Sequence, residues 1–306
     1  MELRQIKTFR AVATTLSFTR AAEALDYAQS SVTAQVQALE EELRVPLFER
    51  LGKRVILTEA GQRLLVYADK MLKLAQEARE AVASDVEPQG ALTVGAPESL
   101  CVYRLPPVLQ QFRVRFPRVR LVFRPVVATA EMYRALHDGR MDVCFLLENA
   151  VADDALTGER LVAEPLRILA HPEHPLARRT RVAPGDLEGE PLLLTEPGCS
   201  YRVPFERALA AAGCCPGSVM EFGSVEAIKQ CVIAGMGIAI LPEVAIAAEI
   251  AQGRLAALDW VGPVCSIGTQ MVWHKDKWLS PALRAFLDVA REVLTPTTPT
   301  TPIGTA

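Results

Sequence analysis

The sequence predicts a three-part chain: an all-α segment closed by a short strand pair, one long helix, and an α/β region of two lobes. Three observations carry this. Apolar residues recur at helical spacing early in the chain, first as Leu3, Ile6, Phe9, Ala13 and Leu16, then as Val32, Val36, Leu39 and Leu43. A further stripe, Leu64, Ala68, Met71, Ala75, Ala78 and Val82, alternates spacings of four and three until Pro88-Gln89-Gly90 breaks it. Beyond that break, apolar strand-like runs alternate with helical patterns to about residue 295, as successive βαβ units do.

In the first segment, Ser17-Phe18-Thr19 interrupts the opening helix, and Thr19 is suited to cap a second, two-turn helix over Arg20 to Leu25. Asp26-Tyr27-Ala28 makes a tight connection to a third helix from Gln29 to Glu42. Two short helices joined by a brief turn describe a helix-turn-helix. Its second helix would enter the DNA major groove with its N-terminal residues nearest the bases. Gln29, Ser30 and Thr33 are short or amide-bearing side chains that suit base edges and phosphates. The same periodicity also fits a plain three-helix cap with a solvated polar face. Next, Val45 to Arg50, the turn Leu51-Gly52-Lys53-Arg54 and Val55 to Thr58 read as strand, turn, strand. Arg50, Lys53 and Arg54 gather at the tip, where a basic turn would straddle the phosphate backbone. An ordinary solvated hairpin would look similar.

Taken together, these residues resemble the N-terminal domain of LysR-type transcriptional regulators. The run from Leu3 to Gly61 carries the likeness through Phe9-Arg10-Ala11-Val12-Ala13, Ser17-Phe18-Thr19-Arg20-Ala21-Ala22, Gln29-Ser30-Ser31-Val32-Thr33, Pro46-Leu47-Phe48-Glu49-Arg50 and Leu57-Thr58-Glu59-Ala60-Gly61. The resemblance implies a winged helix-turn-helix that contacts DNA through Thr19, Arg20, Gln29, Ser30, Ser31, Thr33, Gln37, Arg50, Lys53 and Arg54. Ala34 departs from the polar or basic residue common there, so Gln35 or Gln37 would supply that contact. The resemblance further implies an interrupted inverted repeat in double-stranded DNA as target, a homo-oligomer (a dimer of dimers), RNA polymerase as a further partner, and no enzymatic activity.

The long helix starts at Thr58, a good N-cap followed by Glu59 in the first turn. About 27 residues of helix span roughly 40 Å, a length suited to a strut between two copies. The family pairs its DNA-binding domains through this helix. That assigns dimerisation to Leu64, Ala68, Met71, Ala75, Ala78 and Val82. Pro88-Gln89-Gly90 is then the hinge.

The α/β region reads as two βαβαβ units, which implies doubly wound parallel sheets. Its strands are Ala91 to Ala96, Arg120 to Val127, Met141 to Leu147, Pro191 to Thr195, Val219 to Phe222, Ile238 to Leu241 and Ser266 to Trp273. Its helices are Leu105 to Phe116, Ala130 to His137, Tyr201 to Ala212, Val225 to Ala234 and Ser280 to about Val293. Two lobes with two crossings resemble a periplasmic-binding-protein-like effector domain. The expected boundaries are 1–58 for the winged helix-turn-helix and 59–90 for the linker helix and hinge. The effector domain is 91–295, with lobe I about 91–162 and 267–295 and lobe II about 163–266. The polar tail 296–306 has nothing to bury and should be disordered.

Ligands of open α/β sheets sit at the carboxyl ends of strands, where exposed helix N-termini attract anions. The junctions there, read with the family pattern, select Ser99, Leu100, Cys101, Thr129, Cys199, Ser200, Tyr201 and Ser224 for a small anionic effector. Apart from Arg104 and Arg202 these loops lack arginine and lysine, so a less charged ligand is the alternative. Ser and Thr at such places also serve as plain helix caps.

Composition bounds the alternatives. Half the residues are apolar, which is enough for packed cores, and no run is long enough to span a membrane. The N-terminus lacks the apolar core of a signal peptide, so a bacterial cytoplasmic location is expected. Seven irregularly spaced cysteines form no CxxC pair and read as reduced. A thiol-sensing regulator on the same scaffold is the alternative, through Cys199 near a helix N-terminus and Cys101. His171-Pro172-Glu173-His174-Pro175 reads as a turn rather than a metal site, and no cofactor is expected. The run Arg113, Arg115, Arg118, Arg120 and Arg124 reads as a solvated or interfacial face. The net charge is −3, from 33 basic and 36 acidic residues. Residues 1–58 hold eight basic and seven acidic groups, a net of +1, with the positive groups on the wing and near the short helices. A monomer would therefore bind DNA weakly, and affinity should come from paired half-sites.

Overall fold

The structure is a computed structural model. It describes residues 1–51, 54–82, 87–125, 128–263 and 266–295, without the side chains at 50, 51, 80, 81 and 125. Lys53 and the tail 296–306 lie outside the described residues, as do 126–127 at the end of one expected strand and Cys265. The described residues fall into two compact units, one built around 1–82 and the other around 87–295.

The first unit opens with α1 (Leu3–Thr15), α2 (Phe18–Leu25) and α3 (Gln29–Leu43). Leu16 and Asp26 adopt left-handed backbone at φ 49° and 56° and end the first two helices. Ser17 caps α2 by accepting the Arg20 N–H at 3.3 Å. The cap is thus Ser17 and not Thr19, because Phe18 joins the helix to reach the core and carries Thr19 into the first turn. Strands β1 (Phe48–Leu51) and β2 (Arg54–Leu57) pair antiparallel, with Phe48 opposite Leu57. Pairing begins at Phe48 because the Glu40 carboxylate takes the N–H groups of Leu47 and Phe48 at 2.7 and 3.2 Å. The Phe48 ring sits 5.4 Å from Phe9 and 5.8 Å from Phe18, tying wing to helices.

Helix α4 (Glu59–Val82) follows Thr58, whose hydroxyl accepts from the Gly61 N–H at 2.9 Å and donates to the Pro46 carbonyl at 2.8 Å. Gly61 is required sterically, since a Cβ there would stand 2.2 Å from the Leu47 carbonyl oxygen. Ala68 is wholly buried in the core of this unit, and Leu64 and Met71 pack on it half-buried. This corrects the seam expected along α4. Its first half is used against the short helices, which need that apolar face to close their own core. The exposed large apolar residues of α4, among the described side chains, are Val66, Tyr67, Leu74 and Val82.

The second unit begins with β3 (Gly90–Ala96), α5 (Glu98–Tyr103), α6 (Leu105–Arg115), β4 (Val119–Pro125), α7 (Thr129–His137) and β5 (Val143–Leu147). The long strand β6 (Leu156–Ala170) leads to β7 (Pro191–Thr195), α8 (Arg202–Ala211), β8 (Ser218–Phe222), α9 (Val225–Ile233) and β9 (Ile238–Pro242). Then come α10 (Ala247–Ala251), β10 (Ala256–Ala257), β11 (Ser266–His274) and α11 (Pro281–Leu294). The strand order is β4-β3-β5-β11-β6-β9-β7-β8, with β10 beside β6. Each lobe has three parallel strands, β4-β3-β5 and β8-β7-β9. The expected parallel sheets are thus bordered by antiparallel strands. β11 and β6 cross between the lobes in opposite directions and pair with each other and with β5 and β9.

The crossing is locked by charge. Arg104, between α5 and α6, donates to both oxygens of Glu164 on β6 at 2.6 and 2.8 Å, and the Thr269 hydroxyl on β11 adds a third bond at 2.9 Å. Glu164 is fully buried. Such a carboxylate is tolerable only when paired and hydrogen-bonded.

Candidate nucleic-acid interface and ligand cleft

Helix α3 has two faces by sequence. Val32, Val36 and Leu39 are buried in the first unit, which turns Gln29, Ser30, Ser31 and Gln37 outward to solvent. Thr33 is partly covered, and its hydroxyl donates to the Gln29 carbonyl at 3.0 Å. Gln35 accepts from the buried Thr8 hydroxyl at 2.8 Å, so of the two glutamines beside Ala34 it is Gln37 that stands free on the outer face. Thr19 and Arg20 on α2 and Arg54 on β2 are exposed as well. Arg50 takes its place in β1 opposite Val55, with its side chain outside the described residues.

In the second unit, strands β3, β5, β7 and β8 end at one cleft. One wall carries Glu98, Ser99, Thr129, Met132 and the β5 end. The other carries Thr195, Cys199, Ser200, Tyr201, Phe222, Gly223 and Val225. The space between the walls is about 60 Å³. That holds a few waters, against roughly 300–1,000 Å³ for ligand pockets in general. The cleft is narrow in this structure.

Two expected ligand contacts, Leu100 and Cys101, lie elsewhere, and a third, Ser224, is engaged by the protein itself. Leu100 is buried in the main core, because the α5 turn directs it inward. Cys101 packs against that core, and its Sγ lies 3.6 Å from the Ala96 carbonyl oxygen. Burial, with the Glu98 charge, pushes the Cys101 thiol pKa up, which disfavours a reactive thiolate. Ser224 serves the protein itself, capping α9 through the Ala227 N–H at 3.4 Å and donating to Glu98 at 2.9 Å. Cys199 does line the cleft, but α8 starts only at Arg202, and it is the Cys199 carbonyl that accepts the Arg202 and Val203 N–H groups.

The expected cations do not reach the cleft. Arg104 is held by Glu164, and Arg202 donates to Glu206 at 2.7 Å, to Glu221 at 2.8 Å and to the Thr195 carbonyl. Sequence reading missed Glu98. Its Oε2 accepts the Val225 N–H at 2.7 Å while Oε1 accepts from Ser224, so a lobe I carboxylate sits on the N-terminus of lobe II helix α9. A second clasp joins the same helices: the Tyr103 hydroxyl donates to Glu226 at 2.9 Å and accepts from Lys229 at 3.0 Å. The only sequence signal for these bridges was an acid at the first position of a strand-to-helix junction.

Lys229 is nearly fully buried. Burial pulls its ammonium pKa down, but Glu226, Glu249 and Tyr103 more than offset this and raise it. The hydrogen bond from Lys229 is the main cause that holds Glu226 down, from 4.5 to about 2. A depressed carboxylate contributes stability that is complete above its unfolded value and is lost as pH falls through its folded one. The difference in thermal midpoint between wild type and Glu226→Gln should therefore be flat above pH 4.5 and shrink from there towards about pH 2. A difference that changes near neutral pH contradicts this assignment.

Other sequence features are absorbed by structure. His171 Nδ1 accepts the Glu173 N–H at 3.2 Å and His174 Nδ1 accepts the Leu176 N–H at 3.3 Å, so both rings close a turn. In the arginine run, Arg115 pairs with Glu292 at 2.6 Å and Arg118 with Glu87 at 2.9 Å. Among the described residues no helix is long and apolar enough to cross a membrane.

Two family models match along nearly the whole chain. Residues 3–62 match the bacterial regulatory helix-turn-helix protein of the lysR family, and residues 86–295 match the LysR substrate binding domain. The chain belongs to the LysR family of transcriptional regulators. This is a family of DNA-binding regulators rather than enzymes. Among its relatives, the chain is 47% identical over 292 residues to the HTH-type transcriptional regulator YwqM of Bacillus subtilis, covering 95% of this chain and 99% of that protein. It is 37% identical to the regulator CbbR of Xanthobacter flavus, covering 94% of this chain and 86% of the other. A full-length OxyR variant from Pseudomonas aeruginosa superposes with TM-score 0.73 at 26% identity, covering 96% and 94%. Full-length CbnR complexed with its target DNA does so with TM-score 0.67 at 26% identity, covering 96% and 100%.

Proposed function

We propose that this LysR-family chain is a ligand-responsive regulator that reads one DNA sequence with α3 and binds a small effector between its two lobes. Gln29, Ser30, Ser31, Thr33 and Gln37 take the base edges. Thr19, Arg20, Arg50, Lys53 and Arg54 take the phosphates. The observation that carries this reading is the split of α3 into a buried apolar face and an exposed polar one, within a segment that matches the family's DNA-binding domain. DNA bound to CbnR supports the same use of the segment here. Two copies pair through the outer face of α4, where Tyr67, Leu74 and Val82 are exposed beside Ala75 and Ala78, and pairs assemble as a dimer of dimers on an interrupted inverted repeat. The regulator works in the bacterial cytoplasm, where it can also meet RNA polymerase.

Effector binding changes the closure of the lobes and so shifts the population of DNA-competent assemblies. Ser99 supports this use of the cleft. It is buried and lines the space. Replacing Ser99 and Thr129 by alanine should abolish the thermal shift given by the hit of a metabolite screen while leaving DNA affinity intact. An unchanged shift would remove the cleft from the account.

A further inference from the structure

We propose that Glu98 is a resident occupant of the cleft's anion position, so that the effector of this chain is an uncharged or cationic molecule and not a carboxylate or phosphate. This rests on the reading of the cleft as the effector site.

The geometry is that of a bound carboxylate. One Glu98 oxygen accepts a backbone N–H at the start of α9, at 2.7 Å, and the other accepts the capping Ser224 hydroxyl at 2.9 Å. A helix N-terminus with a free N–H and a hydroxyl is what a small anion would bind. Here the anion is supplied in cis, from the opposite lobe. An incoming anion would have to expel Glu98 and then share the narrow cleft with it. Nothing in the lining offsets two negative charges, because it contains no lysine, arginine or histidine. A neighbouring cavity of about 410 Å³, on the far side of Ser200 and Tyr201, follows the same rule. Its one charged lining residue is Glu148.

The remaining polar groups ask for something other than an anion. Ser99 is 2% exposed and lines the cleft. Thr195 Oγ1 is buried beside the Tyr201 hydroxyl, yet has no well-formed hydrogen bond. These hydroxyls can donate or accept. With Glu98 beside them as a fixed acceptor, the cleft is matched to a ligand that presents hydroxyl or amine donors.

The test is carboxylate rescue in the full-length protein, with acetate as probe and chloride at equal ionic strength as control. Acetate should leave the thermal midpoint of wild type unmoved. It should raise that of Glu98→Ala saturably, with apparent affinity about tenfold or more above wild type. The gain should vanish in Glu98→Ala combined with Ser224→Ala. Phosphate and succinate should likewise leave wild type unmoved. Stabilisation of wild type by any of these anions overturns the proposal without need of a variant, and so does a folded Glu98→Ala that ignores acetate. Should Glu98→Ala not fold, Glu98→Gln, which keeps the acceptor oxygen and removes the charge, should gain affinity for phosphate over wild type; no gain counts against the proposal. DNA binding is measured alongside. An anionic ligand of the cleft that alters DNA binding would refute the occupant and leave the effector site standing. Rescue by acetate, with no cleft ligand altering DNA binding, would do the reverse.

Discussion

Arg104→Ala lowers the thermal midpoint of the α/β unit by about 6–20 °C. Glu164 has no exposed surface and takes both of its charge-assisted bonds from Arg104. Deleting the arginine leaves a buried charge with only the Thr269 hydroxyl to stabilise it. Breaking a buried pair from one side typically costs about 3–5 kcal/mol, and about 2–4 °C follows per kcal/mol in a domain near 200 residues. Replacing Arg104 and Glu164 together by methionine and leucine should recover most of the loss, since the penalty comes from the orphaned charge and not from a missing contact. Differential scanning calorimetry of wild type and the two variants checks this. A single variant that melts with wild type would show that the crossing does not depend on the pair.

Phe48→Ala removes DNA binding by unfolding the small unit. Phe48 is 9% exposed, and its ring bridges Phe9 and Phe18, so one truncation strips two ring contacts and the anchor of the wing. Large-to-small changes of this kind cost about 3–5 kcal/mol, a large fraction of the 5–15 kcal/mol that holds a domain folded. DNA affinity should fall steeply at 37 °C while the melting of the α/β unit stays in place. Phe48→Leu should restore most of the affinity. Loss of affinity with an intact fold of the small unit would instead make Phe48 a direct DNA contact.

The sequence made the elements legible where one periodicity ruled. Pro191–Thr195 and the inward stripe of α3 emerge as the spacing predicts, because each buries a single kind of face. Direction and junctions were harder to see. β6 runs for 15 residues as one strand, and nothing in its apolar pattern shows that it crosses between lobes antiparallel to its neighbours. The six-residue helix α5 is too short to display a period, yet it carries Glu98, Ser99 and Tyr103, three side chains at or across the cleft. The stripe on α4 was visible, but a stripe does not reveal its partner. Ala68 turned out to serve the short helices of its own unit. Charge was misleading in a similar way. Arg104 and Arg202 stand near the cleft in sequence, while Glu164 claims the first and Glu221, with Glu206 one turn along the helix, claims the second.

In the proposed function α3 reads DNA bases and the wing reads phosphate. Selection of binding sites from random duplexes by the full-length protein tests it most directly, run in parallel with Gln29→Ala, Ser30→Ala, Thr33→Ala and Arg54→Ala. Wild type should enrich one motif arranged as an interrupted inverted repeat. The α3 variants should lose preference at defined base positions, by about 1–3 kcal/mol where a bidentate contact goes. Arg54→Ala should keep the motif, weaken binding evenly and reduce the salt dependence by about one phosphate contact. Selection of the same motif with undiminished preference by every α3 variant would contradict the account.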